Sequence, residues 1–229
     1  AAGFIAGCAT GWIHERIKVN TLLCGIIVLT MLYSVNLRIM GQPNVPLFNF
    51  DNVFGHVLGD RKGDSFWQAL MLGVSVAGMG AVLWWFLRTR IGTAMRAVGS
   101  SIPMARAQGV NVAAYTIGGL GLANALAAMA GGLLAQNQGF ADVNLGFGVL
   151  INGLAALILG ETLIGTRTLV RQVLAPVVGA VVYYQVISAA LAAGLRPSDL
   201  KLITGIFVLI TLAIPAIRGG GEGALRIRE

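Results

Sequence analysis

Charge is what this sequence has least of. Of its 229 residues only 11% are Asp, Glu, Lys or Arg, against about 25% in ordinary soluble domains. That scarcity excludes a soluble enzyme, a disordered tail and a nucleic-acid binder. The chain has two cysteines, Cys8 and Cys24, and both fall within apolar runs without metal or redox spacing, which suits core packing. The two histidines, His14 and His56, have no H-E-x-x-H pattern and no neighbouring cysteine, so no metal site is expected. No G-x-x-x-x-G-K-[ST] loop occurs, and the chain is not expected to hydrolyse ATP itself. A G-x-S-x-G elbow and an intramembrane carboxylate pair are missing too, so no catalytic residue is assigned and no cofactor is expected on this chain.

What fills the space is apolar. Hydrophobic residues make up 56% of the chain and glycine contributes 32 residues, with a mean hydropathy of +0.80. Seven apolar runs are expected to form spanning helices: residues 1–13, 19–37, 66–87, 112–135, 146–160, 172–192 and 202–217. The run from Phe66 to Leu87 reaches about 33 Å at about 1.5 Å per residue, enough for a hydrocarbon core of about 30 Å. The expected fold class is therefore an all-α polytopic helical membrane protein, one transmembrane domain over 1–229. The fifth and seventh runs are short enough for tilted or broken helices. The chain opens apolar, without Met or a preceding basic stretch, so at least one further spanning helix is expected before residue 1.

The sixteen Lys and Arg sit in short connectors. Segments 14–18, 88–109, 161–171 and the C-terminal tail are net positive, whereas 38–65, 136–145 and 193–201 are neutral, acidic or mixed. The positive-inside rule puts the first group, C-terminus included, in the cytoplasm and the second group outside. Within 38–65, Leu47, Phe50, Phe54, Val57 and Leu58 follow a helical period, suiting an interfacial helix, a re-entrant piece or a docking surface for an external partner.

Helices in lipid gain little by hiding apolar surface from each other, so small residues that admit close backbone approach take over. Gly3, Gly7 and Gly11 form such a stripe, as do Ala114, Gly118, Gly121, Ala125 and Ala128. The run interiors contain no Asp, Glu, Lys or Arg, which weighs against the alternative reading of an ion-coupled secondary carrier or channel. Their polar groups include Asn36, Ser75, Thr116, Asn124, Asn152, Tyr183, Tyr184, Gln185, Ser188 and Thr204. Such groups either tie helices together or line a solute path, and for a path Asn124, Asn152, Tyr184 and Ser188 are the candidates.

The connector Arg88–Val112 carries the most local signal. Ser100 or Ser101 can cap a helix, Pro103 is tolerated in its first turn, and Gly109 can end it. A helix over 102–108 is expected, with Ile102, Met104 and Ala105 as a small apolar face and Arg96 and Arg106 around it. Such a helix suits a groove on a cytoplasmic partner.

On these residues the chain resembles a known family. Gly92, Ala94, Arg96, Ala97, Val98, Ala105, Gly109, Val110, Asn111 and Val112 match the cytoplasmic loop of permease subunits of bacterial ABC importers, the branched-chain amino acid and ribose permease family. Ile102 stands where the family often has Asn. Residues 146–165 are similar to the family's Gly-rich helix, and 29–47 resembles a subgroup whose partners include binding proteins for aromatic amino acids. The resemblance implies an inverted-repeat permease in the bacterial inner membrane, paired with a second copy as a homodimer. It further implies ABC ATPase subunits that hold ATP and Mg, and an external solute-binding protein. Residues 88–111 become the coupling loop, with Arg96, Pro103, Met104, Ala105, Arg106 and Gly109 meeting the ATPase.

Overall fold

The computed structural model of the chain describes residues 1–18, 21–47, 65–194 and 205. The seventh run, the tail and most of the connector around His56 lie outside the described residues. Among those described, an apolar helix stands at each of the remaining six runs, and the fold is all-α and polytopic. These are α1 (Ala2–Ile17), α2 (Thr21–Met40), α3 (Ser65–Arg88), α6 (Val112–Gln138), α7 (Leu145–Ile164) and α8 (Leu169–Ala192). Two short helices, α4 (Arg90–Ser100) and α5 (Ile102–Ala107), fill the connector between α3 and α6. Four helices contain stretches long and apolar enough to cross a membrane: Leu23–Met40, Phe66–Arg88, Val112–Gln138 and Leu169–Ala192. Large apolar side chains along them face outward, Val74, Val82 and Trp85 of α3 each about two-thirds exposed; in a bilayer that surface meets lipid or a neighbouring helix rather than water.

Local chemistry fixes the ends. α2, α6 and α7 stop at Gly41, Gly139 and Gly165, each with φ between 73° and 76°, a left-handed turn open to glycine at little cost. Lys18 takes the same conformation after α1, its N–H reaching His14 O at 2.8 Å. Asn111 and Thr168 cap α6 and α8 with side-chain oxygens that accept from Ala114 N and Arg171 N. The run at 146–160 is a continuous helix of 20 residues that carries on through Glu161.

The chain divides into two compact units, Ala1–Asn144 and Leu145–Glu229. In the first, α1 runs antiparallel to α6 with its glycine stripe against it. A Cβ on Gly3 would stand 2.5 Å from Ala128 Cβ, one on Gly7 would overlap Leu120 O, and one on Gly11 would stand 2.8 Å from Ile117 Cα. Those side chains must be hydrogen for the backbones to meet. Cys8 fills the same seam, 2.7 Å from where a Cβ on Gly121 would lie, and Cys24 is wholly buried, so both cysteines pack.

A two-stranded ribbon, which no alternation in the sequence announces, closes the far end of this unit. β1 (Asn44–Pro46) pairs antiparallel with β2 (Phe140–Asp142), Val45 opposite Ala141. Leu47 N donates to Gly139 O at 2.8 Å and Val143 N to Pro43 O at 3.1 Å, extending the pairing at both ends. Pro46, opposite Phe140, falls between the bonded positions, where a missing N–H costs nothing. The ribbon joins the α2–α3 connector to the α6–α7 connector and so puts both at the same end of the unit.

In the second unit α7 and α8 form an antiparallel hairpin. A Cβ on Gly160 would overlap Ala175 O and one on Gly179 would overlap Ala156 O, so the helices meet backbone to backbone through one glycine from each. Ala155, Ala156, Leu159 and Tyr183 form the buried cluster.

Candidate functional site

At its end opposite the ribbon the first unit carries the α4–α5 elbow. Thr89 turns the chain out of α3: its Oγ1 donates to Phe86 O at 2.6 Å and accepts from Gly92 N at 3.3 Å. Gly92 is required there, because a Cβ would overlap Phe86 O and stand 2.5 Å from Leu87 Cα. On α4, Gly92 and Val98 turn inward, and the Met95 methyl lies 3.5 Å from where a Cβ on Gly118 would point. Arg90, Thr93 and Arg96 are exposed on the other side. Where composition suggests only a connector, the inward positions, three residues apart, are the sign of a packed helix, Met95 and Val98 lying on α6.

Ser101 is the cap of α5, its Oγ accepting from Met104 N at 3.5 Å, while Ser100 turns back to donate to Ala97 O. Pro103 occupies the first turn, exposed. The expected apolar face of Ile102, Met104 and Ala105 is split. Ala105 is 3% exposed and packs with Val98 and Val112, whereas Ile102 and Met104 are 48% and 63% exposed. In a six-residue helix lying along its own unit one position points inward, and here it is an alanine, small enough for the close approach. Gly109, with φ 76°, ends the turn: its N–H reaches Arg106 O, and Val110 N reaches Ala105 O at 3.1 Å. α5 is thus hydrogen-bonded into the entry of α6, with Met104 and Arg106 outward.

The antiparallel α1–α6 pairing brings Arg16 and Lys18 to this same end, joining Arg88, Arg90, Arg96 and Arg106. Arg88 lies over the Trp84 ring, Cζ 4.1 Å from its centroid, a pairing suited to a membrane interface. Glu15 is the acid at this end among the described residues.

The polar candidates divide by unit. Asn124, half-buried on α6 against Gly3 and Gly7, turns its amide nitrogen back to Leu120 O at 3.0 Å. Thr10, 6% exposed on α1, donates to Ala6 O of its own helix at 2.9 Å. In the second unit the bond crosses helices: the Tyr183 hydroxyl donates to Asn152 Oδ1 at 3.0 Å. Tyr183 is 2% exposed, and Tyr184 packs against it edge to face, rings 5.5 Å apart, while itself 59% exposed. Ser188, one turn beyond Tyr184, is exposed. Tyr183, rather than the expected Tyr184, is the tyrosine that bonds α7. The signal was there as a step of four: Asn152, Ala156 and Gly160 on one helix meet Tyr183, Gly179 and Ala175 on the other. Among the described residues no group of three or more His, Cys, Asp or Glu could hold a metal.

Residues 1–213 match the family profile described as branched-chain amino acid transport system, permease component. The chain is 38% identical over 212 residues to the tyrosine transport system permease protein of Clostridioides difficile, covering 92% of this chain and 69% of that protein. It is 32% identical over 216 residues to an uncharacterised protein of Rickettsia prowazekii, covering 93% of this chain and 75% of that one. No solved structure matches it.

Proposed function

Because the chain belongs to the branched-chain amino acid transport system permease family, we propose that it is the membrane-embedded subunit of an ATP-driven importer, carrying an amino acid across the bacterial inner membrane by alternating access. Two ATPase subunits, binding ATP and Mg, dock on its charged end, a solute-binding protein delivers from the other side, and a second copy of the chain completes a homodimer. In this reading the α5 end, with six basic residues against Glu15, faces the cytoplasm, and the tail, with Arg218, Arg226 and Arg228 against Glu222 and Glu229, lies on the same side by the same charge rule. The solute is an aromatic amino acid, on the strength of the relationship to the clostridial tyrosine permease.

The observation that carries this reading is α5. It offers Met104 and Arg106 outward while Ala105, keyed between Val98 and Val112, ties it to α4 and α6. A push from an ATPase groove on Met104 therefore reaches α6 through packed atoms and the Val110 to Ala105 hydrogen bond. Arg96 on α4, Pro103 in the first turn and Gly109 at the exit complete the coupling surface. Asn124, Asn152, Tyr184 and Ser188 serve the solute path.

The test is uptake of radiolabelled L-tyrosine by proteoliposomes holding the complete complex with its binding protein. ATP-dependent uptake is expected from the wild type, and a double variant Met104→Asp, Arg106→Asp is expected to insert normally yet transport nothing. Undiminished uptake by that variant removes α5 from coupling, and wild-type flux that ignores ATP points to a secondary carrier or channel.

A further inference from the structure

Asn152 has more hydrogen-bonding capacity than its helix uses. Its carboxamide oxygen accepts from the Tyr183 hydroxyl at 3.0 Å, but among the described residues no acceptor meets its Nδ2, which is not enclosed. Asn152 stands seven residues into α7 (Leu145–Ile164), about 10 Å from the helix start at about 1.5 Å per residue, a depth within the hydrocarbon region. Two unpartnered amide hydrogens at that depth are costly, so the group suits contact with something polar. A residue serving only to tie α7 to α8 needs no such surplus, since Gly160 and Gly179 already bring the backbones together.

We propose that Tyr183 is a positioning residue that fixes the Asn152 carboxamide so that its Nδ2 hydrogens hold the carboxylate of the transported amino acid. This rests on the amino-acid importer reading. A hydroxyl that donates to Oδ1 settles which end of the amide is turned inward, and the end left outward is a pure donor that suits a carboxylate and not an ammonium group. Tyr183, 2% exposed, is itself out of the solute's reach, and its ring is held by Tyr184 edge-on and by the alanine and leucine cluster of α7. The phenol is therefore fixed before the solute arrives, and the amide orientation with it.

The test uses the full permease–ATPase complex in nanodiscs without the binding protein. Bound radiolabelled L-tyrosine is competed with L-tyrosine or with L-tyrosinamide, which lacks the carboxylate charge. The wild type is expected to prefer L-tyrosine. Tyr183→Phe keeps the ring, and assembly with the ATPase is checked by co-purification; it is expected to weaken L-tyrosine binding about tenfold while leaving tyrosinamide binding nearly as it was, so the preference collapses. Asn152→Asp, which sets an acceptor where the donors were, is expected to reverse it. A purely structural tyrosine would lower both ligands alike. That result, an intact preference in Tyr183→Phe, or a wild type indifferent to the carboxylate overturns the proposal. Wild-type proteoliposomes that fail to take up L-tyrosine with ATP sink the importer reading; ATP-driven uptake with an unaltered preference in both variants sinks the positioning role alone.

Discussion

The helix pairs α1–α6 and α7–α8 use the same device and differ in what they do with polar side chains. Both bring backbones together through glycine: Gly3, Gly7 and Gly11 on one side of the first seam, Gly160 and Gly179 from opposite sides of the second. In the first, Thr10 and Asn124 turn their hydrogen bonds back to Ala6 O and Leu120 O of their own helices. In the second, Tyr183 bonds across to Asn152 and leaves that amide's nitrogen open. The presence of a polar residue in an apolar helix therefore says little about its role. The destination of its hydrogen bond says more: Asn124 bonds back to its own helix, whereas Asn152 is fixed by a hydroxyl from the neighbouring one.

The comparison is broken most forcibly at the glycines. Gly179→Val is expected to destabilise the α7–α8 pair by about 3 kcal/mol, because the new carbon would meet the rigid carbonyl of Ala156. Gly121→Ala is expected to cost only about 1 kcal/mol, since its Cβ would press on the Cys8 sulfur and the Phe4 ring, side chains that can shift. Reversible unfolding in mixed micelles reads both, and equal costs would mean that backbone contact does not distinguish the sites. The polar contrast is smaller. A double-mutant cycle of Asn152→Ala with Tyr183→Phe should show a coupling of about 0.6 kcal/mol, the average for such bonds within membranes. The matching cycle of Thr10→Ala with Asn124→Ala should show no coupling, because each side chain bonds its own helix.

Much of this was legible from residues alone. The apolar runs located the helices, and Ser101, Pro103 and Gly109 marked the short α5, because capping and turn chemistry are local. The ribbon was not legible: three residues per strand are too few for an alternation, and the partners stand almost a hundred residues apart. Helix α4 was hidden by its glycines and arginines, which read as loop until the end of α3 receives Gly92 and α6 supplies the surface that Met95 and Val98 face. The inward turn of Ala105 likewise depends on Val98 and Val112, which only the fold brings to it. At the polar seam composition flagged Asn152, but singling out Tyr183 beside Tyr184 requires knowing which of two adjacent tyrosines faces α7.

In the proposed function α5 receives the force of an ATPase through its outward residues. A photo-crosslinking amino acid placed singly at Met104 or at Ala105 in the full-length protein, in its own host, tests that claim most directly. An adduct is expected from position 104 to a chain carrying a G-x-x-x-x-G-K-[ST] loop, and none from the buried position 105. Adducts from 104 to lipid alone, or equal capture from both positions, would contradict it.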